Sequence, residues 1–165
     1  MKKNLLGFVF ICICFFSCIS EETTTYYLIR HAEKERKDTT NRDPNLNKKG
    51  RERAVRWANY FKNIPLESIY TTDYKRTQQT ATPTAKTKDI TLKRNNPNTL
   101  YNSIFQLNTK GKSVLVVGHS NTTPAFANSI LGEEKYQNMK DDDNATLFIV
   151  TIKGDLKTST TVKVN

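Results

Sequence analysis

The stretch Val-Leu-Val-Val-Gly-His-Ser at residues 114–120 predicts a strand that is followed by a histidine. Its first four residues form an unbroken apolar run, which is typical of a strand buried on both faces of a parallel sheet. A second apolar run, Tyr26–Ile29, is also rich in strand-forming residues and is followed directly by Arg30 and His31. The chain has only two histidines, and each of them follows one of these two predicted strands.

On both sides of these two apolar runs, strand patterns alternate with helical ones along the chain. Apolar residues at Ala54, Trp57, Ala58 and Phe61 recur with helical spacing and give one apolar face. The predicted strands are 26–29, 68–71, 90–93 and 114–117, the predicted helices are 46–62, 74–86, 99–107 and 122–131, and the last residues form a hairpin of 145–152 with 158–164. We expect Pro83 to shorten or kink the second helix. The pattern predicts an α/β fold, a three-layer α/β/α sandwich with a largely parallel central sheet.

In such sheets, functional sites form beyond the carboxyl ends of the strands. This rule places Arg30-His31-Ala32-Glu33 and Gly118-His119-Ser120-Asn121 on one edge of the sheet. A hydrogen-bonded structural histidine is the alternative for either residue alone. That alternative would have to hold at both strand ends, so the pair favours a site.

Four segments resemble motifs of the histidine phosphatase superfamily, which has the phosphoglycerate mutase-like fold. Leu28–Glu33 is similar to the Arg-His motif after the first strand, and Leu46–Gly50 is similar to the start of the first helix. Thr72–Ala81 resembles the second-arginine motif, and Val116–Ser120 resembles the second-histidine motif. The four occur in the family's order over nearly all of the chain after residue 25.

The resemblance implies that Arg30, His31, Arg76 and His119 form a phosphate pocket. His31 is the implied nucleophile, attacking as neutral imidazole to give a phosphohistidine, and His119 is implied to donate a hydrogen bond to the transferring group. Two planar guanidiniums suit the binding of phosphate oxygens. The implied chemistry needs neither a cofactor nor a metal.

One residue of the family pattern is missing from its usual place, the acid that protonates the leaving oxygen. Larger members supply a glutamate after the second-arginine helix, but residues 90–111 contain no Asp or Glu. Short phosphohistidine-protein phosphatases also lack it. Glu33 is a candidate acid because it lies two residues from His31, with an exposed or Arg-paired carboxylate as the alternative. Asp73 is the weaker candidate.

Other site interpretations fit less well. His31-x-Glu33 is reminiscent of zinc deaminases, which also need a Pro-Cys-x-x-Cys ligand pair, and every cysteine lies at or before Cys18. Asp141–Asn144 lacks the pattern of a calcium loop and is predicted to be a solvated turn. The basic residues of the first helix are predicted to lie on its solvated side; they are Lys48, Lys49, Arg51, Arg53 and Arg56.

The charge balance favours anionic partners. Lys and Arg number 26 against 16 Asp and Glu, a formal net charge of +10. The chain has no long basic block, and its aromatic residues do not alternate with basic ones, so we expect no nucleic-acid partner. The expected substrate is a phosphorylated small molecule or peptide.

The N-terminal segment predicts export. Lys2 and Lys3 precede an apolar run, 5–16, that is too short to span a bilayer, which needs about 20 residues, and has the length of a signal peptide. The segment Phe15–Cys18 resembles a lipobox, which predicts a signal peptide over 1–17 and a lipid on Cys18. An ordinary secreted protein is the alternative. We expect a tether over 18–25 and the phosphatase domain over 26–165.

The location expected of such a chain is the cell envelope. A membrane contact through the lipid anchor, with the protein on the outer membrane, follows from this interpretation. The acidic pair Glu21 and Glu22 resembles a surface-export signal of lipoproteins, with a plain solvated tether as the alternative. Together these inferences predict a lipid-anchored phosphatase acting on phosphate monoesters or phosphorylated peptides. The alternative is a phospho-ligand-binding lipoprotein that keeps the pocket without turnover. The oligomeric state is left open.

Overall fold

The computed structural model of the chain describes residues 22–165. The predicted signal peptide and the lipidation site at Cys18 lie outside these residues. Within residues 22–165, strands and helices alternate up to the fourth helix and two further strands follow, which makes six strands and four helices. The strands are β1 Thr23–Arg30, β2 Ser68–Thr71, β3 Leu92–Arg94, β4 Ser113–Gly118, β5 Thr146–Lys153 and β6 Leu156–Lys163. The helices are α1 Lys48–Phe61, α2 Lys75–Lys88, α3 Ser103–Thr109 and α4 Thr122–Leu131.

The strands form one sheet in the order β3-β2-β4-β1-β5-β6. The first four are parallel to one another, and β5 and β6 add an antiparallel hairpin at one edge. The predicted α/β class, with a largely parallel central sheet, is therefore confirmed, as is the final hairpin.

Strand β4 lies at the centre and explains why its sequence is apolar throughout. Val114 and Val116 pack on one face with Phe105 of α3 and Phe126 of α4. The alternate residues of β4 pack on the other face, in the cluster that contains Trp57, Phe61, Ala81 and Ala85 of α1 and α2. The helices thus cover both faces, and period-two alternation sends neighbouring β4 side chains into opposite layers.

Two boundaries differ from the sequence prediction. Strand β1 begins at Thr23, so 23–25 belong to the sheet and the predicted tether of 18–25 is too long. These threonines are β-branched, and they pair with β5 from the first residue of the strand. Helix α2 runs through Pro83 to Lys88, because the residues on either side of the proline are buried against the sheet.

The sheet register aligns the two strand ends that carry the histidines. Arg30 of β1 is paired with Gly118 of β4, and the backbone N–H of His31 donates to the Gly118 carbonyl at 2.9 Å. His119 directly follows this pair. The carboxyl edge of the sheet therefore holds both histidines on neighbouring strands.

Candidate active site

The backbone fixes the His31 ring in one tautomer. Its Nδ1 lies 2.7 Å from the carbonyl oxygen of Ala32, which can only accept a hydrogen bond. Nδ1 therefore carries the proton, and Nε2 keeps its lone pair. Asn144 fixes the His31 backbone in turn, because its side-chain amide donates to the His31 carbonyl at 2.9 Å.

Burial keeps the His31 ring neutral. Only 4% of the residue is exposed, and its pKa is lowered to about 3, chiefly by this desolvation. The cations Arg30 and Arg76 and the ring of His119 contribute to the lowering, while the Ala32 hydrogen bond acts in the opposite direction. A neutral imidazole with a bare Nε2 is the form that can attack phosphorus.

His119 lies beside His31, with the ring centroids 5.5 Å apart. Burial, with the charges of Arg76, Arg30 and Lys34, lowers the pKa of His119 to about 4. The ring of Tyr74 meets the His119 ring edge-on at 5.1 Å. Both imidazoles are therefore neutral in the unliganded site at ordinary pH.

A chain of two threonines orients the His119 ring. Thr77 donates its hydroxyl proton to a backbone carbonyl, that of Tyr74 at 2.8 Å or that of Thr72 at 2.9 Å. The Thr72 hydroxyl is then free to donate to Thr77 Oγ1 at 3.0 Å, and it accepts from His119 Nε2 at 2.9 Å. This network is complete when the proton of the neutral ring sits on Nε2, which leaves Nδ1 as the second nitrogen that can bind a proton.

Arg30 is held by the segment that precedes β5. Its Nη1 donates to the carbonyls of Lys140 and Asp141, each at 2.9 Å, and its Nη2 donates to the Asp141 carboxylate at 2.8 Å. Its Nε is buried and has no partner within residues 22–165.

Arg76 shows the same arrangement in the first turn of α2. Its Nη1 donates to the Arg42 carbonyl at 3.2 Å and lies 3.7 Å from the Asp43 carboxylate. The guanidinium lies over the Tyr74 ring, 4.2 Å from its centroid. Its Nε is likewise buried without a partner among the described residues.

One cavity of about 400 Å³ is lined by the two histidines and the two arginines described above, His31, His119, Arg30 and Arg76. A second cavity of about 580 Å³ adjoins it, and His31, Lys34 and Asp141 line both. The family resemblance implied a pocket of Arg30, His31, Arg76 and His119, and the structure places all four in one cleft. We name this cavity, shared by the two histidines and two arginines, the His31–His119 cavity.

Comparison with known proteins agrees with this geometry. Residues 26–96 match the model of the histidine phosphatase superfamily, branch 1. The chain is therefore similar to this superfamily over its first strands and helices. The matched part includes Arg30, His31 and Arg76, and His119 lies beyond it. No curated protein sequence matches the chain significantly.

Solved structures share the histidine phosphatase fold. The protein histidine phosphatase SixA complexed with tungstate has a TM-score of 0.67 at 14% identity, covering 84% of this chain and 96% of that one. Phosphoglycerate mutase from Bacillus anthracis has a TM-score of 0.64 at 15% identity, covering 87% and 94%. A mycobacterial glucosyl-3-phosphoglycerate phosphatase has a TM-score of 0.59 at 12% identity, covering 78% and 90%. At these identities the likeness establishes the fold.

The two candidate acids are both bound to arginines. Glu33 accepts from Arg53 Nε with both carboxylate oxygens at 3.0 Å and lines the second cavity together with His31. Asp73 accepts from Arg94 at 2.7 Å, outside the His31–His119 cavity. For Glu33 this is the Arg-paired carboxylate that was predicted as its alternative. The prediction that Arg53 lies on the solvated side of α1 is wrong, because this pairing holds it buried.

The predicted solvated turn at Asp141–Asn144 holds for Asp141 and Asp142, which are exposed in a turn, but not for Asn144, which is buried. Asp141 binds Arg30, and Asn144 donates to the His31 carbonyl. The acidic run alone carried no signal of these two contacts, since Arg30 and His31 lie more than 100 positions away in the chain. Thr72 was part of the second-arginine motif, but only the fold shows that it contacts His119.

Proposed function

We propose that this chain is a phosphatase that hydrolyses phosphate monoesters or phosphorylated peptides through a phosphohistidine on His31. One observation carries the proposal: the Ala32 carbonyl holds the proton on Nδ1, so a neutral ring presents a bare Nε2 within the His31–His119 cavity. The superfamily whose model residues 26–96 match consists of phosphatases and mutases, which supports the proposal.

The charges of the cavity suit a phosphoryl group. Arg30 and Arg76 each keep a buried Nε–H without a protein partner in the described part of the chain. Guanidinium groups neutralise the equatorial oxygens that carry charge in phosphoryl transfer. A bound dianion also raises the pKa of His119, so the ring takes up a proton at Nδ1 and can donate it to a phosphate oxygen.

The reaction proceeds in two displacements. His31 Nε2 attacks phosphorus, an N–P bond forms, and the ester P–O bond breaks with its electron pair on the leaving oxygen. Water then attacks phosphorus, the N–P bond breaks, and its electron pair returns to Nε2. The water proton passes to the released phosphate or to solvent, and inorganic phosphate leaves.

The leaving group receives little help from a carboxylic acid. Within the described chain, Asp141 is the one carboxylate that lines the His31–His119 cavity. Arg36 and Arg30 lower its pKa to about 2, so it is ionised at ordinary pH. We therefore expect good leaving groups, such as phenolates or the imidazole of a phosphorylated peptide, to react much faster than alkoxides.

A generic substrate pair tests this proposal. The full chain is assayed with 4-nitrophenyl phosphate and with glycerol 3-phosphate, whose leaving groups differ in their need for a proton. We expect turnover of the aryl ester at least about 100-fold faster, a range that general acid catalysis commonly spans, and none with His31→Ala. Turnover undiminished in His31→Ala would reject the proposed nucleophile.

The same experiment distinguishes the proposed phosphatase from the alternative, a phospho-ligand-binding protein without turnover. That alternative is favoured by Arg30, whose Nη1 and Nη2 are already engaged by residues 140–141. Binding of inorganic phosphate without turnover of the aryl ester would support it. Aryl ester turnover that depends on His31 would exclude it.

We also propose that the chain is exported to the cell envelope and anchored by a lipid on Cys18. The support is the N-terminal sequence, with its basic start, apolar run and lipobox-like end. None of the helices within residues 22–165 is long and apolar enough to cross a bilayer. Labelled fatty acid should be incorporated into the full chain and not into Cys18→Ala. Equal labelling of both would contradict the anchor, and protease treatment of intact cells tests surface exposure.

A further inference from the structure

The second cavity opens on the same nucleophile from another side. His31, Lys34 and Asp141 line both cavities, so a ligand whose phosphate lies against His31 extends into one or the other. Arg36 and Lys49 add two more cationic side chains to the second cavity. Positive charge therefore continues beyond the phosphate pocket.

Three carboxylates and three cationic side chains line the second cavity, but Arg53 and Arg30 also bind two of those carboxylates, Glu33 and Asp141. Glu33 is bound by Arg53, and Lys49 approaches it only to 3.7 Å. Lys34 lies within 4 Å of no carboxylate in the described residues. Asp142 also lines this cavity and adds negative charge at its rim.

The chain itself places an anion at the junction of the two cavities. Asp141 Oδ1 lies 2.8 Å from Arg30 Nη2, and Asp141 Oδ2 lies 2.8 Å from Arg36 Nη1. The two guanidiniums are thus spaced to share one carboxylate. The Asp141 side chain is 71% exposed, so little packing opposes its replacement by an anion from a ligand.

We propose that Lys34 and Arg36 form a subsite for a second anionic group of the substrate, a carboxylate or second phosphate close to the transferred phosphate. The inference rests on the proposed function, because it assumes that the phosphate lies against His31. It narrows the substrate class to phosphate compounds with at least two anionic groups. Lys34 serves both parts of such a ligand, since it lines both cavities.

Binding of non-hydrolysable analogues tests the subsite without requiring turnover. Calorimetry measures the dissociation constants of phenylphosphonate and 3-carboxyphenylphosphonate for the full chain. These probes share the phosphonate and differ in one carboxylate. We expect the carboxylated probe to bind about ten-fold more tightly, as for one charge-assisted hydrogen bond.

Variants then show which side chains cause this difference in affinity. Arg36→Met and Lys34→Met should each reduce the ratio of the two dissociation constants to about two or less, by loss of that hydrogen bond. Lys37→Met is the matched control, because it removes the same charge from an exposed neighbour that lines neither cavity. The control should keep the ten-fold ratio.

Two results would overturn the subsite. One is an equal affinity of the wild-type chain for the two probes. The other is an equal fall of the ratio in Lys37→Met and Arg36→Met, which would mean general attraction by net charge. A chain that binds the probes with the expected ratio but fails to hydrolyse 4-nitrophenyl phosphate would contradict the phosphatase proposal and leave the subsite supported.

Discussion

At the scale of single residues, the site depends on which nitrogen of each imidazole holds its proton. A backbone carbonyl sets this for His31, and a side-chain hydroxyl sets it for His119. The hydroxyl can be removed by substitution, which makes Thr72 the residue through which the orientation of His119 can be tested. It acts through His119 and is a positioning residue.

We expect Thr72→Val to lower turnover of an aryl phosphate by roughly ten- to hundred-fold, because a misoriented catalytic group costs that much. Thr72→Ser keeps the hydroxyl and should retain most of the activity. The phosphoenzyme should still form in both variants, since His31 is untouched. Equal losses in the valine and serine variants would point to packing of the methyl group instead of the hydrogen bond.

The two histidines and Arg30 could be predicted from the sequence as neighbours, and the residues that support them could not. Arg30, His31 and His119 adjoin strand ends, so local pattern and sheet topology place them together. Asn144 reaches the His31 carbonyl across 113 positions of the chain, and no local pattern marks such a contact. The sequence also left open whether Glu33 is free or paired, since its partner Arg53 approaches from α1.

At the scale of elements, α1 supports the site because it packs directly on the backbone that follows β1. Asn47 caps this helix by accepting from the Gly50 N–H at 2.9 Å, and its own N–H donates to the Glu33 carbonyl at 3.0 Å. Gly50 lies so close to that carbonyl that an added Cβ would be 2.0 Å from its oxygen. The glycine is therefore required by the close approach of helix and loop.

Gly50→Ala should destabilise the fold by about 1–3 kcal/mol, the usual cost of overpacking. It should also lower turnover, because the displaced Glu33 backbone lies two residues from His31. Urea unfolding and the aryl phosphate assay measure the two effects. Glu52→Ala, at an exposed position of the same helix, is the control and should change neither. A Gly50→Ala variant as stable as the wild type would contradict the packing described for α1.

Element types were predictable and some of their ends were not. Asn102 accepts from the Phe105 N–H, so α3 starts at Ser103 and not at the predicted residue 99. The prediction that Pro83 limits α2 is wrong because Ala81 and Ala85 are buried in the core on either side of it. Tertiary packing outweighs the local cost of the proline in this helix.

At the scale of the whole molecule, the fold keeps two imidazoles uncharged in a strongly cationic chain. Their folded pKa values, about 3 and about 4, lie below the unfolded value of 6.5. Below pH 6.5 the unfolded chain therefore binds protons that the folded chain does not. Stability is greatest above pH 6.5 and falls as the pH drops toward about 4.

This linkage predicts a measurable loss of folding stability in mild acid. Between pH 7 and pH 4.5, we expect the His31 contribution alone to lower the free energy of unfolding by on the order of 2 kcal/mol. Urea midpoints at the two pH values measure it, and His31→Asn should show a smaller difference. Asp141, whose pKa is lowered to about 2, loses its contribution only below about pH 4 and does not affect this window. Identical pH dependence in wild type and His31→Asn would refute the neutral buried imidazole.

The central claim, that His31 Nε2 takes the phosphoryl group, is tested most directly by trapping the intermediate. The full chain is mixed with 4-nitrophenyl phosphate carrying radioactive phosphorus, quenched in alkali, where phosphohistidine survives, and mapped by mass spectrometry. We predict one phosphate on Nε2 of His31, present in the wild type and absent from His31→Ala. Phosphate on another residue or on Nδ1 of His31, or turnover without any phosphoenzyme, would contradict the account.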